Sequence, residues 1–140
     1  MLTVIELSRH SNVRPHVVRY YSRIGLLSPA RNPDNGYKLF AYSDVPRLIF
    51  IRQAQRLGYT LEEIREILDE SSQGKSPCHR VREILQQRIE ENRQKLDELI
   101  QLQNRMEDAL QQWGEMPDGM PDGTSVCHLI ESAAGIRYNA

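Results

Sequence analysis

In Val13-Arg14-Pro15-His16-Val17-Val18-Arg19-Tyr20-Tyr21-Ser22-Arg23-Ile24-Gly25-Leu26-Leu27, residues Val13 to Arg23 read as a short helix with one apolar and one basic side. Pro15 is tolerated in a first helical turn, and Gly25 ends the helix. Val17, Val18 and Tyr21 fall where they can meet a preceding helix. Arg14, His16, Arg19, Tyr20 and Arg23 are left for a partner. Residues 3–9 supply the preceding helix, with Thr3 as N-cap, Glu6 three residues on, and Ser11-Asn12 as its break. This is the spacing of a helix-turn-helix, whose second helix enters a major groove while basic side chains meet phosphates. A helical hairpin with a solvated basic face fits the same periodicity.

The next segment of the chain favours the DNA reading. Arg31-Asn32-Pro33-Asp34-Asn35-Gly36-Tyr37-Lys38-Leu39-Phe40 has an Asn-Gly turn signal between two short extended pieces. Both turn residues tolerate positive φ, so a small hairpin is expected, with Arg31 and Lys38 projecting from it. A hairpin directly after a helix-turn-helix is a wing, whose basic residues reach backbone or minor groove. A third helix is expected from Asp44 to Leu57, capped by Ser43, with Leu48, Ile49 and Ile51 inward and Arg47, Arg52 and Arg56 outward. Thr60 and Glu63 form a capping box for a fourth helix burying Leu61, Ile64, Ile67 and Leu68. Ser71 to Pro77 reads as a linker.

From Cys78 to Trp113 there is neither Pro nor Gly. Leu85, Ile89, Asn92, Leu96, Leu99, Gln103, Met106, Leu110 and Trp113 recur in alternating steps of four and three, the seam of a coiled coil. Such a helix is roughly 50 Å long at 1.5 Å per residue, too long to bury its stripe against a small head. No second long helix comes after it, so a homodimer is expected, parallel or antiparallel. Asn92 and Gln103 would restrict its register. Two heads then call for a palindromic double-stranded site. The expected fold is mainly α. It has a DNA-binding head (residues 1–70), a linker (71–77), a dimerisation helix (78–113) and a C-terminal loop with a short helix (114–140).

Charge divides the same way. Residues 1–58 carry a net +6 and residues 59–140 a net −7, which the overall −1 conceals. A basic head on an acidic body suits a polyanion at one end only. With 39% apolar residues the chain can build a core. No apolar run is long enough for a membrane span, and the first residues lack a signal-peptide pattern, so a cytoplasmic protein is expected.

In the tail, two Met-Pro-Asp-Gly units (residues 116–119 and 120–123) read as tight turns. Cys127-His128 then opens a short helix toward Ala134. Cys78-His79 begins the long helix. Within one chain the two pairs would be about 50 Å apart. In an antiparallel dimer the Cys78 of one subunit approaches the Cys127 of the other. Thiolate with imidazole or carboxylate suits Zn²⁺ or a related soft divalent ion. A thiol switch responding to oxidants or electrophiles fits the same two cysteines. No phosphate loop, carboxylate pair or nucleophile–base pair suggests an enzyme. An architectural nucleoid protein would not need the effector-like tail.

The chain resembles the MerR family of bacterial transcriptional regulators. The resemblance rests on Val17 through Leu27, on Arg31 through Phe40, and on Ile51-Arg52, and it runs on through the long helix. It implies a winged helix-turn-helix head, an antiparallel dimer of long helices and a C-terminal effector loop. It also implies backbone contacts from Arg19 and Tyr20, base contacts from Arg14 and His16, and wing contacts from Arg31, Tyr37 and Lys38. Lys38 stands where the family usually has arginine, so a bidentate phosphate contact becomes a point contact. Cys78 and Cys127 match the branch that responds to zinc, cadmium, lead and mercury. That branch usually has a further cysteine around residues 113–116, where this chain has Trp-Gly-Glu-Met. Glu115, Asp118, Asp122, His79 or His128 would have to stand in for it. The resemblance further implies a regulator that bends and undertwists promoter DNA for RNA polymerase, controlling metal efflux or detoxification genes.

Overall fold

A computed structural model describes residues 1–133 of the 140-residue chain. It contains helices α1 (Val4–Ser11), α2 (Pro15–Arg23), α3 (Asp44–Arg56), α4 (Leu61–Ser72), α5 (Cys78–Trp113) and α6 (His128–Ser132), with strands β1 (Ala30–Arg31) and β2 (Lys38–Leu39) between α2 and α3. The chain divides into two compact units, Met1–Arg88 and Ile89–Ala140, and α5 contributes to both.

The first unit begins with the expected capping box. Thr3 Oγ1 accepts from the Glu6 N–H and Glu6 Oε1 accepts from the Thr3 N–H, each at 3.2 Å. Asn12 closes α1 at φ 56°, a left-handed position that asparagine tolerates. The turn holds because Ser8 Oγ donates to the Val13 carbonyl while the Val13 N–H bonds to Ser8 O at 3.1 Å. Val13 therefore belongs to this turn and not to α2. Arg14, with ψ 144°, is extended because a residue preceding proline is excluded from the helical region.

Strands β1 and β2 pair antiparallel, Ala30 with Leu39 and Arg31 with Lys38. The connection departs from the expected two-residue turn. Gly36 alone takes positive φ, at 73°, and Asn35 instead accepts the Tyr37 N–H on its side chain at 3.0 Å. The result is a wider loop braced by Asn32 N–H to Tyr37 O and Gly36 N–H to Asn32 O, both 2.8 Å. Leu2 and Phe40 exchange backbone hydrogen bonds of 2.7 Å, pinning the start of the chain beside the wing.

The core of this unit joins Leu7, Val18, Tyr21, Leu26, Leu27, Phe40, Leu48, Ile51, Ile64 and Ile67, none more than 3% exposed. Val81, Ile84 and Leu85 at the start of α5 pack on it. Each such buried aliphatic side chain contributes about 1.5–3 kcal/mol over its exposed state. Ile49 differs from expectation. It lies on the outer side of α3, 38% exposed. Ser43 likewise does not cap α3 with its side chain. The Asp44 and Val45 N–H groups bond instead to the carbonyls of Ala41 and Tyr42, in a turn leading into the helix. Thr60 and Glu63 do form their capping box. Helix α4 continues through Ser72, so the break before α5 is confined to residues 73–77, with Gly74 at φ 76°.

In the second unit α5 ends at Trp113, as its last possible turn before Gly114 requires. Ala109 is buried there. Helix α6 ends at Ser132, and Ala134, its expected limit, lies outside the described residues.

Candidate nucleic-acid interface and effector loop

Arg14 just before α2, His16, Arg19, Tyr20 and Arg23 on it, and Arg31 and Tyr37 on the wing, are all solvent-exposed; Lys38 is half-buried. The opposite side of α2 is closed against the core by Val18 and Tyr21. Arg23 lies over the ring of Tyr20, its guanidinium carbon 5.8 Å from the centroid. That contact holds a cation and an aromatic hydroxyl on one outward patch. On the wing, Arg31 Nη1 donates to the Gly36 carbonyl at 3.1 Å, so Arg31 braces its own loop as well as projecting from it.

Two arginines hold the far end of α2 in place. Arg65 Nη2, from α4, donates to the Ile24 carbonyl, and Arg47 Nε, from α3, donates to the Leu26 carbonyl at 3.0 Å. The last carbonyls of a helix lack partners within it and carry the negative end of its dipole, so the Arg65 guanidinium satisfies both demands at the C-cap Ile24, while Arg47 satisfies a carbonyl of the turn that follows. Arg47 is thus turned inward, contrary to its expected outward position, because a free carbonyl lies within its reach. The sequence pattern does not single out Arg65. Its signal was present, since it is the one basic residue in the α4 sequence.

Along α5 the expected seam divides. Leu85 packs on the head core. Beyond it Ile89, Leu96, Leu99, Met106 and Leu110 are each about half exposed or more, as is Ile100 outside the register. Asn92 is exposed, and Gln103 donates to Glu107 on its own helix at 2.9 Å. Trp113 is half-buried, and its Nε1–H is enclosed with no acceptor among the described residues.

The loop after α5 is organised by its own polar groups. Asp122 Oδ1 accepts from Thr124 N–H at 2.7 Å, Thr124 Oγ1 at 2.9 Å and Ser125 N–H at 2.8 Å. These bonds, the Thr124 backbone first, hold the Asp122 carboxyl below its ordinary range. Glu131 accepts from Ser125 Oγ at 2.5 Å and Val126 N–H at 3.1 Å, and it too is pushed down, chiefly by Ser125. Both carboxylates are therefore ionised and already engaged.

The expected metal ligands are spread along the sequence. Cys78 is exposed at the first residue of α5, and the adjoining His79 contacts Glu83 at 2.9 Å. Cys127 is half-buried at the N-cap of α6, directly before His128. His128 Nε2 lies 2.8 Å from the Pro117 carbonyl oxygen. Asp118 is exposed. Among the described residues of one chain, no three His, Cys, Asp or Glu side chains converge on a common point.

An α-helical head with a basic second helix and a two-stranded wing, followed by a long helix with an exposed apolar stripe, defines a winged helix-turn-helix DNA-binding protein suited to dimerisation. Comparison with known proteins makes this specific. The family model for MerR HTH regulatory proteins matches residues 2–71, and that for the MerR DNA-binding segment matches residues 45–111. The chain belongs to the MerR family of transcriptional regulators. It is 29% identical over 142 residues to the HTH-type transcriptional regulator ZntR of Escherichia coli K12, covering 98% of each chain. It is 28% identical over 113 residues to the mercuric resistance operon regulatory protein of Bacillus cereus, covering 81% of this chain and 86% of that one. Among solved structures it resembles the transcription regulator PbrR691 of Ralstonia metallidurans CH34 in complex with lead(II). The TM-score is 0.73 at 25% identity, over 96% of this chain and 100% of that one. No helix among the described residues is long and apolar enough to cross a membrane.

Proposed function

We propose that this protein is a metal-responsive regulator of promoter DNA, working as an antiparallel homodimer. The observation that carries the reading is the placement of its two thiols. Cys78 is the first residue of the 36-residue α5, and Cys127 comes after the loop beyond its end. When two copies pair head-to-foot along α5, the thiol at the start of one helix meets the loop at the end of the other. The exposed stripe from Ile89 to Leu110 is what such pairing would cover. Thiolates with an imidazole are the donor chemistry of a soft divalent ion, so the residues present fit Zn²⁺ and its heavier relatives.

The heads then read an inverted repeat, with Arg14 and His16 at base edges and Arg19, Tyr20, Arg23, Arg31, Tyr37 and Lys38 on backbone. A bound ion favours one arrangement of the two heads and hence one shape of the duplex. Promoter elements out of phase for RNA polymerase are brought into phase by bending and untwisting, at an energy that depends on the DNA. Regulation of ten- to a hundredfold needs a coupling of only about 1–3 kcal/mol. Efflux or detoxification genes are the natural targets of such a switch.

Titration of the reduced protein with Zn²⁺, Cd²⁺, Pb²⁺, Hg²⁺ and Cu⁺ against a competing chelator tests this. Divalent binding lost in both Cys78→Ser and Cys127→Ser supports the shared site. Cu⁺ binding that survives loss of Cys78 removes the divalent assignment. Induction that needs both thiols but persists under rigorous chelation points to oxidant or electrophile sensing instead.

A further inference from the structure

The tail repeats Met-Pro-Asp-Gly twice, but the two glycines sit in different surroundings. A Cβ added at Gly119 would lie 2.3 Å from Cδ2 and 2.9 Å from Nε2 of His128, whereas one added at Gly123 would meet nothing within 4 Å. The first repeat is therefore a seat for an imidazole and the second an ordinary turn. Pro117 in the same repeat supplies its carbonyl to His128 Nε2 at 2.8 Å.

That hydrogen bond fixes the chemistry of the ring. A carbonyl oxygen only accepts, so Nε2 carries the proton. In the neutral imidazole the lone pair then resides on Nδ1. Locking one ring nitrogen onto a backbone carbonyl is how metal-ligating histidines are oriented and made more basic. Cys127 precedes His128 in sequence, at the N-cap of α6. Glu131 is engaged through both oxygens by Ser125 and Val126, and Asp122 accepts from Thr124 and Ser125 through Oδ1; the imidazole and the thiol are the softer donors of this segment.

We propose that His128 is a metal ligand through Nδ1, in place of a loop cysteine, and that Gly119 and Pro117 are its positioning residues. This rests on the metal-responsive reading above and deepens it. A mixed nitrogen and sulfur donor set favours Zn²⁺ over ions that prefer sulfur alone.

The full-length reduced protein, labelled with ¹⁵N-histidine and loaded with ¹¹³Cd²⁺, gives a direct readout without any substitution. A one-bond ¹¹³Cd–¹⁵N coupling at His128 Nδ1, with Nε2 still protonated, is the expected result. Zn²⁺ competition titrations should show His128→Gln and Gly119→Ala each weakened by about tenfold or more, with Gly123→Ala unchanged. Absence of the coupling in protein that holds Cd²⁺, or wild-type Zn²⁺ affinity in His128→Gln, overturns the assignment while the regulator reading stands. Failure of the unaltered protein to bind any divalent ion overturns both.

Discussion

Arg88 Nη2 on α5 stands 2.7 Å from each carboxylate oxygen of Glu63 on α4. The same carboxylate accepts the Thr60 N–H at 2.8 Å, so one side chain both closes the helix cap and ties α4 to the long helix. Arg80 adds contacts to Glu66 and Glu70, and Tyr59 donates to the Val81 carbonyl at 2.6 Å. From another side of α4, Arg65 grips the end of α2. Helix α4 is thus the joint between α2 and the start of α5.

The double duty of Glu63 can be separated by substitution. Gln preserves a capping box but loses the ion pair, so Glu63→Gln should cost about 1 kcal/mol, near the upper end for a partly exposed pair. Glu63→Ala loses the cap as well and should cost about 2 kcal/mol in total. Urea denaturation of the three proteins at neutral pH checks both values. Equal losses in the two variants would show that the cap contributes nothing.

Acid should erase that difference. Burial raises the proton affinity of Glu63, but hydrogen bonds from Thr60 and Arg88 with the Arg88 charge outweigh it, and its folded pKa falls below the ordinary 4.5. A depressed carboxylate contributes stability that is fully present above its unfolded value and lost as pH falls through the folded one. The gap between wild type and Glu63→Gln should therefore be constant from pH 7 to about 5.5 and close below about 4.5. Denaturation curves across that range measure it. A gap that widens in acid would contradict the sign.

Arg65 should matter to DNA without touching it. Its guanidinium fixes the α2 terminus, so Arg65→Met should lower operator affinity by roughly tenfold, the worth of one charge-assisted hydrogen bond. The dependence of affinity on salt should not change, because no phosphate contact is removed. Arg19→Ala, by contrast, should reduce the salt slope by about one. Anisotropy titrations at several salt concentrations distinguish the two, and a reduced slope in Arg65→Met would place Arg65 on the backbone instead.

What could be read from the sequence was what depends on near neighbours. The Thr3–Glu6 and Thr60–Glu63 capping boxes and the limits of α5 come from residues three or four apart, or from the lack of Pro and Gly. What escaped depends on contacts far apart in the chain. Arg47 turns in to Leu26 O across 21 residues, and Arg65 to Ile24 O across 41. The hydropathy of Ile49 suggests an inward position, but the core on α3 is already filled by Leu48, Ile51 and Ala54. In the loop, residue type alone admits Asp122 beside the expected ligand His128. Their hydrogen bonds separate them: Asp122 is held in its own turn by three bonds to Oδ1, whereas His128 is aimed by a single bond at Nε2 that leaves its other ring nitrogen uncommitted.

The apolar stripe on α5 carries the last prediction. Leu96 and Leu99 are 58% and 61% exposed, and Ile89, Met106 and Leu110 extend the same row. Burial of each such side chain in a paired seam contributes about 1.5–3 kcal/mol, so five of them drive association strongly even after the entropy of pairing is subtracted. A carboxylate at the centre of that seam must be desolvated without a partner, at several kcal/mol per ion and twice over in a two-fold dimer. Leu99→Asp should consequently shift the protein to a monomer at micromolar concentration. The head should remain folded, because its core ends at Leu85. Sedimentation velocity reads the first effect and thermal unfolding the second. Operator binding should fall by far more than tenfold, since each half-site would then be bound without the other. A Leu99→Asp protein that still sediments as a dimer would mean that α5 pairs along a different face, with Ile100 and Leu102 marking the first alternative.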